Sequence, residues 1–273
     1  ISGFNGSAGT AVVTMKSAAL WTDSRYFLAA EEQLEDTEYQ LMKLKIEGTP
    51  TIAEWLGKEL QDVQSPEVGL DGMVNSYNYV KDLIYSLRKL GGITLRTNLD
   101  PLAQIWENRP SLPPNPVEIQ PLEYAGETLV SKVARIRKSL RELHADGMLV
   151  SALDDIAWTL NLRGTDVHCN PVFVSYLLIE SGKVSLFVDD NKLSPEVKQY
   201  LHDNQVSLYN YNKVEKCLES YSEYNILLDG NETSYYLWKA VKCQEIVAAG
   251  SPIPAMKAVK NTAEIEGYHS AML

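Results

Sequence analysis

Five side chains able to do chemistry fall within LNLRGTDVHCNPVFVSY, residues 160–176: Arg163, Asp166, His168, Cys169 and Asn170. In an extended segment alternate residues share a face, so Asp166, His168 and Asn170 would point one way and could offer three mixed donors to a metal ion. Such a site lacks the partners elsewhere in the sequence that a closed coordination sphere needs. A Cys–His nucleophile pair is excluded by the same geometry, since His168 and Cys169 are neighbours and point to opposite faces. What remains is a polar loop at a strand edge, with Asn170 held extended by the proline that follows it.

A second candidate is WTDSRYF, residues 21–27, with Asp23 and Arg25 two apart between aromatic rings. An aspartate followed by turn residues can accept backbone N–H bonds and hold a turn, and an exposed Asp–Arg pair can brace it. GFNGSAGT, near the start, has the glycines of a phosphate loop without its Lys-Ser/Thr or a dinucleotide fingerprint, and reads as a tight lead into a strand. His144 ends a basic helix, where a cation is favourable. No HExxH, GxSxG or kinase motif occurs.

The elements around these residues repeat. SAALWTDSRYFLAAEEQL, from Ser17, matches KVSLFVDDNKLSPEVKQYL, from Lys183: an apolar strand ending in Asp, a polar turn and an amphipathic helix. YQLMKL and TIAEWLGKEL are followed by VGLDG and NSYNYVKDLIYSLRK in the first copy. VSLYNY and NKVEKCLES are followed by ILLDG and TSYYLWKAVK in the second. Asp23 thus corresponds to Asp189, and Asp71 to Asp229. At the position of Arg25 the second copy has Asn191, so only the turn-forming role of the aspartate is common to both. ISGFNGSAG is aligned with LNLRGTDV. On that register the second copy alone has the preceding helix over 129–144, the strand GMLVSA and the helix DDIAWTLN. The Pro-rich 107–122, ENRPSLPPNPVEIQPL, predicts an irregular connector, and Thr262 predicts the N-cap of a last helix.

Strands alternating with helices place both copies in the α/β class, with mixed sheets covered by helices. The 273 residues suit two domains, and the formal charge of −11 argues against a nucleic-acid partner. Apolar runs are strand-sized, which argues against a membrane span. Three cysteines without CxxC spacing point to a reducing compartment, with cytoplasm the default. A start at Ile1 and a stop at HSAML, inside a helix, read as two cut ends.

ISGFNGSAGTAVVT with ALWTDSRYFLAAEEQL, then DDIAWTLNLRGTDVHCNPVFVSYLLI, then PIPAMKAVKNTAEIEG, together resemble the N-terminal half of the three-domain Xaa-Pro aminopeptidases. The resemblance implies two tandem related creatinase N-terminal-like domains with a ribonuclease-H-like motif, at 1–122 (N-terminally truncated, with its Pro-rich linker) and 123–253. Residues 254–273 would then begin an absent pita-bread catalytic domain. It further implies a cytoplasmic, dimeric peptidase acting on peptides with proline in second position. The two divalent metal ions, manganese in the usual case, would be held in the absent catalytic domain, with no catalytic or metal-binding residue on this chain. Within that frame Arg163 and Asn170 are candidate substrate-binding residues bounding the peptide side of the cleft, Arg163 through a donor fork suited to a carboxylate or carbonyl. The competing role for Arg163 is a structural pairing with Asp155 or Asp166. Two other classes stay open: a catalytically silent peptide-binding or dimerisation module of the same fold, and a nuclease or phosphotransferase using strand-end carboxylates such as Asp23 and Asp71.

Overall fold

Apolar pentapeptides that run into an aspartate, AALWT before Asp23 and VSLFV before Asp189, form fully buried strands in two separate sheets. Around them the chain forms two units in the computed structural model, which describes residues 1–272. The first comprises Ile1–Leu70 and Lys81–Leu99; the second comprises Asp71–Val80 and the chain from Asp100 onward. Leu273, the last residue of the expected segment 254–273, lies outside the described residues.

The first sequence of elements is β1 (Gly9–Val13), β2 (Ala18–Thr22), α1 (Phe27–Leu34), β3 (Tyr39–Lys43), α2 (Ile52–Glu59), β4 (Glu67–Gly69), α3 (Tyr77–Gly91) and β5 (Thr94–Arg96). β2 pairs antiparallel with β1 and parallel with β3, while β4 and β5 form a separate parallel pair. Helix α2 begins at a capping box in which Thr51 Oγ1 accepts from Glu54 N–H and the Glu54 carboxylate accepts from Thr51 N–H. In the core Trp21 and Trp55 meet edge to face at 5.6 Å, packed with Leu56, Leu87 and Ile93. The Trp21 indole N–H is satisfied by the Pro50 carbonyl at 2.8 Å.

The elements that follow are β6 (Glu118–Ile119), α4 (Leu122–Ala125), α5 (Leu129–Glu142), β7 (Gly147–Val150), α6 (Leu153–Leu160), β8 (Leu162–Arg163), β9 (Ser175–Glu180), β10 (Val184–Val188), α7 (Pro195–Asp203), β11 (Val206–Asn210), α8 (Val214–Glu219), β12 (Asn225–Leu228), α9 (Tyr235–Ala240), β13 (Glu245–Ala248), α10 (Ile253–Ala258) and α11 (Thr262–Ala271). Six strands form one mixed sheet in the order β11-β10-β9-β7-β12-β13, with β9 antiparallel to both neighbours and the other pairs parallel. Strand alternation sends Met148, Val150, Leu177 and Ile179 to one face, against Val133, Ile136, Leu160 and Leu201 of the helices α5, α6 and α7. Leu149, Leu178 and Phe187 go to the other, against Leu218 of α8 and Leu237 and Trp238 of α9. Both faces are covered, which fits the near-continuous apolar sequences of β7, β10 and β12.

The duplication is physical as well as textual. Asp23 Oδ1 accepts the N–H of Arg25 at 3.1 Å, and Asp189 Oδ1 accepts that of Asn191 at 3.0 Å. Asp71 and Asp229 do likewise for Met73 and Asn231, at 2.8 and 2.9 Å. Strand register corrects one alignment. Gly9 sits opposite Thr22 as Ser175 sits opposite Val188, so ISGFNGSA corresponds to 167–174 rather than to LNLRGTDV. Two further expectations change. The Pro-rich 107–122 is not wholly irregular, because Glu118 and Ile119 lie between its prolines with N–H groups intact and pair with β8. Helix α11 is capped by Asn261 rather than Thr262: Asn261 Oδ1 accepts from Glu264 N–H, and Glu264 reaches back to Asn261 N–H.

Candidate functional site

Lys132 stands on the apolar stripe of α5, one turn from both Leu129 and Ile136, and its side chain is 1% exposed. Its ammonium donates to the Trp158 carbonyl at 2.9 Å and to Asn161 Oδ1 at 2.6 Å, and lies 4.3 Å from the Trp158 ring centroid. Burial is the main cause that lowers its pKa to about 8, partly opposed by the charges of Glu264 and Glu127. Asn161 ends α6 in the left-handed conformation, φ 52, which its short polar side chain tolerates. Its amide also donates to the Glu127 carbonyl at 2.9 Å. Lys132 and Asn161 together fix where α6 stops and where β8, carrying Arg163, begins.

Arg163 does not pair with Asp155 or with Asp166. One terminal nitrogen, Nη1, donates to the carbonyls of Ala157 at 3.1 Å and Leu162 at 2.8 Å, and no bond to Nε or Nη2 occurs among the described residues. The guanidinium is thus anchored on one side and open on the other. It lines a pocket of about 260 Å³ with Asn170, Trp158, Lys257, Lys260, Glu264 and Tyr268. Burial lowers the Arg163 pKa, offset in part by Glu264. The Trp158 indole N–H reaches Glu264 Oε1 at 3.4 Å, joining the pocket wall to α11.

The segment after Arg163 is not extended. Val167 bridges to Asn170, and Cys169 adopts φ 58, so the chain turns back on itself. The expected shared face of Asp166, His168 and Asn170 is thereby broken: His168 and Asn170 are exposed, whereas the Asp166 side chain is fully buried. Asp166 Oδ2 accepts from the buried Lys192 ammonium and from Val174 N–H at 2.6 Å. Cys169 is exposed and free. Among the described residues no group of three or more His, Cys, Asp or Glu side chains could hold a metal ion.

Beside the pocket, Lys257 of α10 bonds Asp154 and, at 2.8 Å, Asp155 at the start of α6. Burial works against the charge on Lys257, but the bonds to the two carboxylates raise its pKa overall. Asp155, with its side chain 3% exposed, is pushed up by burial despite that partner, while the same lysine brings Asp154 down against its own weaker burial. Arg163 and Asn170 are therefore brought together, as grouped from sequence. Trp158, Lys257 and Glu264 were missed, because they come from three helices, of which α10 and α11 lie far from Arg163 in the chain. Lys132 had a legible signal, a cation inside an apolar helical stripe.

The exposed Asp23–Arg25 pair braces its own turn, with bonds of 2.9 and 2.7 Å between side chains. These, more than any other cause, bring the Asp23 pKa down to about 2. No helix among the described residues is long and apolar enough to cross a membrane.

The description "Creatinase/Prolidase N-terminal domain" matches the chain twice, over residues 1–95 and 108–264. A probable Xaa-Pro aminopeptidase P of Penicillium rubens is 38% identical over 99% of this chain and 45% of its own length. The Xaa-Pro aminopeptidase ApepP of Drosophila melanogaster is 36% identical over 98% of this chain and 44% of its own. The solved X-prolyl aminopeptidase of Caenorhabditis elegans, described as a cytosolic enzyme with a di-nuclear active site, gives a TM-score of 0.90 at 29% identity, over 97% of this chain and 44% of that one. The chain spans less than half the length of these relatives.

Proposed function

The chain belongs to the creatinase/prolidase N-terminal domain family, and we propose that it is the tandem, non-catalytic N-terminal portion of a metal-dependent Xaa-Pro aminopeptidase. Such a hydrolase removes an N-terminal residue that precedes proline. The observation that carries this reading is coverage: proteins named for that activity match 98–99% of this chain with only 44–45% of their own length. The domains are 1–122 and 123–253, with 254–273 beginning the catalytic portion. Two divalent ions, manganese in our reading, belong to that further portion and would activate a water and polarise the scissile carbonyl there. The parent is a cytoplasmic homodimer. This reading is tested by assaying the whole polypeptide against peptides with and without proline in second position: cleavage confined to the former is expected, and none of either would overturn it.

The role of this portion is packing and shaping of the substrate cleft. Helix α11 supports a docking role, since it has no buried residue and exposes Ile265 and Tyr268 one turn apart. Arg163 and Asn170 are proposed to bound the peptide-binding side. The half-anchored guanidinium supports this: carbonyls hold Nη1, and Arg163 lines the pocket that α11 borders.

A further inference from the structure

Three cations, Arg163, Lys257 and Lys260, border the pocket beside α6, and among the described residues only Lys257 meets a carboxylate. Lys257 is held by Asp154 and Asp155. Arg163 is held through Nη1 alone, by the Ala157 and Leu162 carbonyls, and the exposed Lys260 donates its ammonium to the Lys257 carbonyl. Nε and Nη2 of Arg163 have no acceptor among the described residues. The carboxylates of the pocket wall are already engaged. Asp154 takes Lys257, while Glu264 accepts from the Trp158 indole at 3.4 Å and, within the α11 capping box, from Asn261 N–H at 2.9 Å. Cationic donors are thus in surplus, and the anionic acceptors beside them are in use. Burial penalises the charge on Arg163, and Glu264 offsets that cost only in part.

Resting on the aminopeptidase reading, which supplies a peptide as the ligand, we infer that this pocket takes a carboxylate of that peptide, held by Arg163 and Lys260. These two residues then select for an anionic group on the substrate. A carboxylate is favoured over a backbone carbonyl because two cations border the space, and bonds from a guanidinium fork to a carboxylate are the shorter and stronger kind. A phosphate fits less well, since its second negative charge would meet Asp154 and Glu264 in the same pocket. At about 260 Å³ the space is smaller than the roughly 300 Å³ at which sites for drug-sized ligands begin, and it suits a single residue of a peptide. Trp158 and Pro171 give that residue an apolar wall. Two sources offer the carboxylate: the C-terminus of a short peptide, and an Asp or Glu side chain of a longer one.

The test adds three peptides to the 273-residue chain: Ala-Pro-Ala as the free acid, the same peptide as its C-terminal amide, and Ala-Pro-Glu as the amide. The Arg163 Nε–H signal is followed by NMR and assigned by its absence from Arg163→Lys. Movement with the free acid assigns the C-terminal carboxylate, and movement with the glutamyl amide assigns an acidic side chain. Lys260→Met, at an exposed position, is expected to weaken that binding about threefold. In the whole enzyme the carboxylate peptide so identified should exceed Ala-Pro-Ala amide in kcat/KM by about tenfold, a preference that Arg163→Lys largely removes. A signal that no carboxylate peptide moves, that the neutral amide moves equally, or that inorganic phosphate alone moves would overturn the inference. A whole enzyme that cleaves none of the three peptides overturns the aminopeptidase reading instead, because the titration of the shorter chain still decides what the pocket binds.

Discussion

Asp166 and Lys192 form an ion pair with both side chains almost wholly out of water, 0% and 2% exposed, at the base of the loop that carries Asn170. A second anchor lies beside it, where Val117 N–H donates to the Lys192 carbonyl at 2.9 Å. Removing one partner leaves a buried charge uncompensated, so Asp166→Ala is expected to cost about 3–5 kcal/mol in denaturant unfolding, whereas Asp166→Val combined with Lys192→Met recovers most of that loss. A single variant as stable as the parent chain would show that the pair does not hold the loop.

Lys132 gives the fold a pH dependence of known sign. Its pKa falls from 10.5 to about 8 on folding, chiefly through burial. Between these values the unfolded chain binds more protons than the folded one, so this residue's contribution to stability rises with pH across that window and is least favourable below it. Comparing the chain with Lys132→Met from pH 7 upward should show the wild type gaining on the variant as the lysine discharges. A pH-independent difference contradicts the assignment.

Arg25 is expected to matter chiefly to Asp23. Replacing it with Ala should bring the Asp23 pKa, about 2 with Arg25 in place, back toward 3.8 in a carboxyl NMR titration, since hydrogen bonding to Arg25 is its largest cause. The turn itself should persist, as its twin at Asp189 does with Asn191 in the equivalent place. An unmoved Asp23 titration argues against the pairing.

The duplication was legible because four apolar runs, two in each copy, end at a residue with local turn chemistry, Asp23, Asp71, Asp189 or Asp229. The loop after Arg163 was not, because its shape depends on the left-handed Cys169 and on Lys192, a partner that lies beyond two intervening strands. Arg163 and Asn170 could be singled out as types, but their pocket could not, since Lys257 and Glu264 reach it from helices α10 and α11. The half-anchored state of Arg163 rests on carbonyls, which carry no side-chain signature in sequence.

In the whole enzyme Arg163→Ala should raise KM about ten- to a hundredfold while changing kcat less, with metal content and fold intact, and Arg163→Lys should restore little because it lacks the fork. Unchanged kinetics would remove Arg163 from the substrate side of the pocket. An unfolded variant would assign it to the fold, through the Ala157 and Leu162 carbonyls.

The most direct measurement compares the 273-residue chain with its whole parent polypeptide, both supplied with manganese, for hydrolysis of a peptide with proline in second position and for bound metal by elemental analysis. The parent is expected to cleave the bond and hold about two ions per chain, with the shorter chain doing neither, because metal activation of water belongs to the further portion. Cleavage or stoichiometric metal in the 273-residue chain, or a metal-loaded parent without activity, would contradict it.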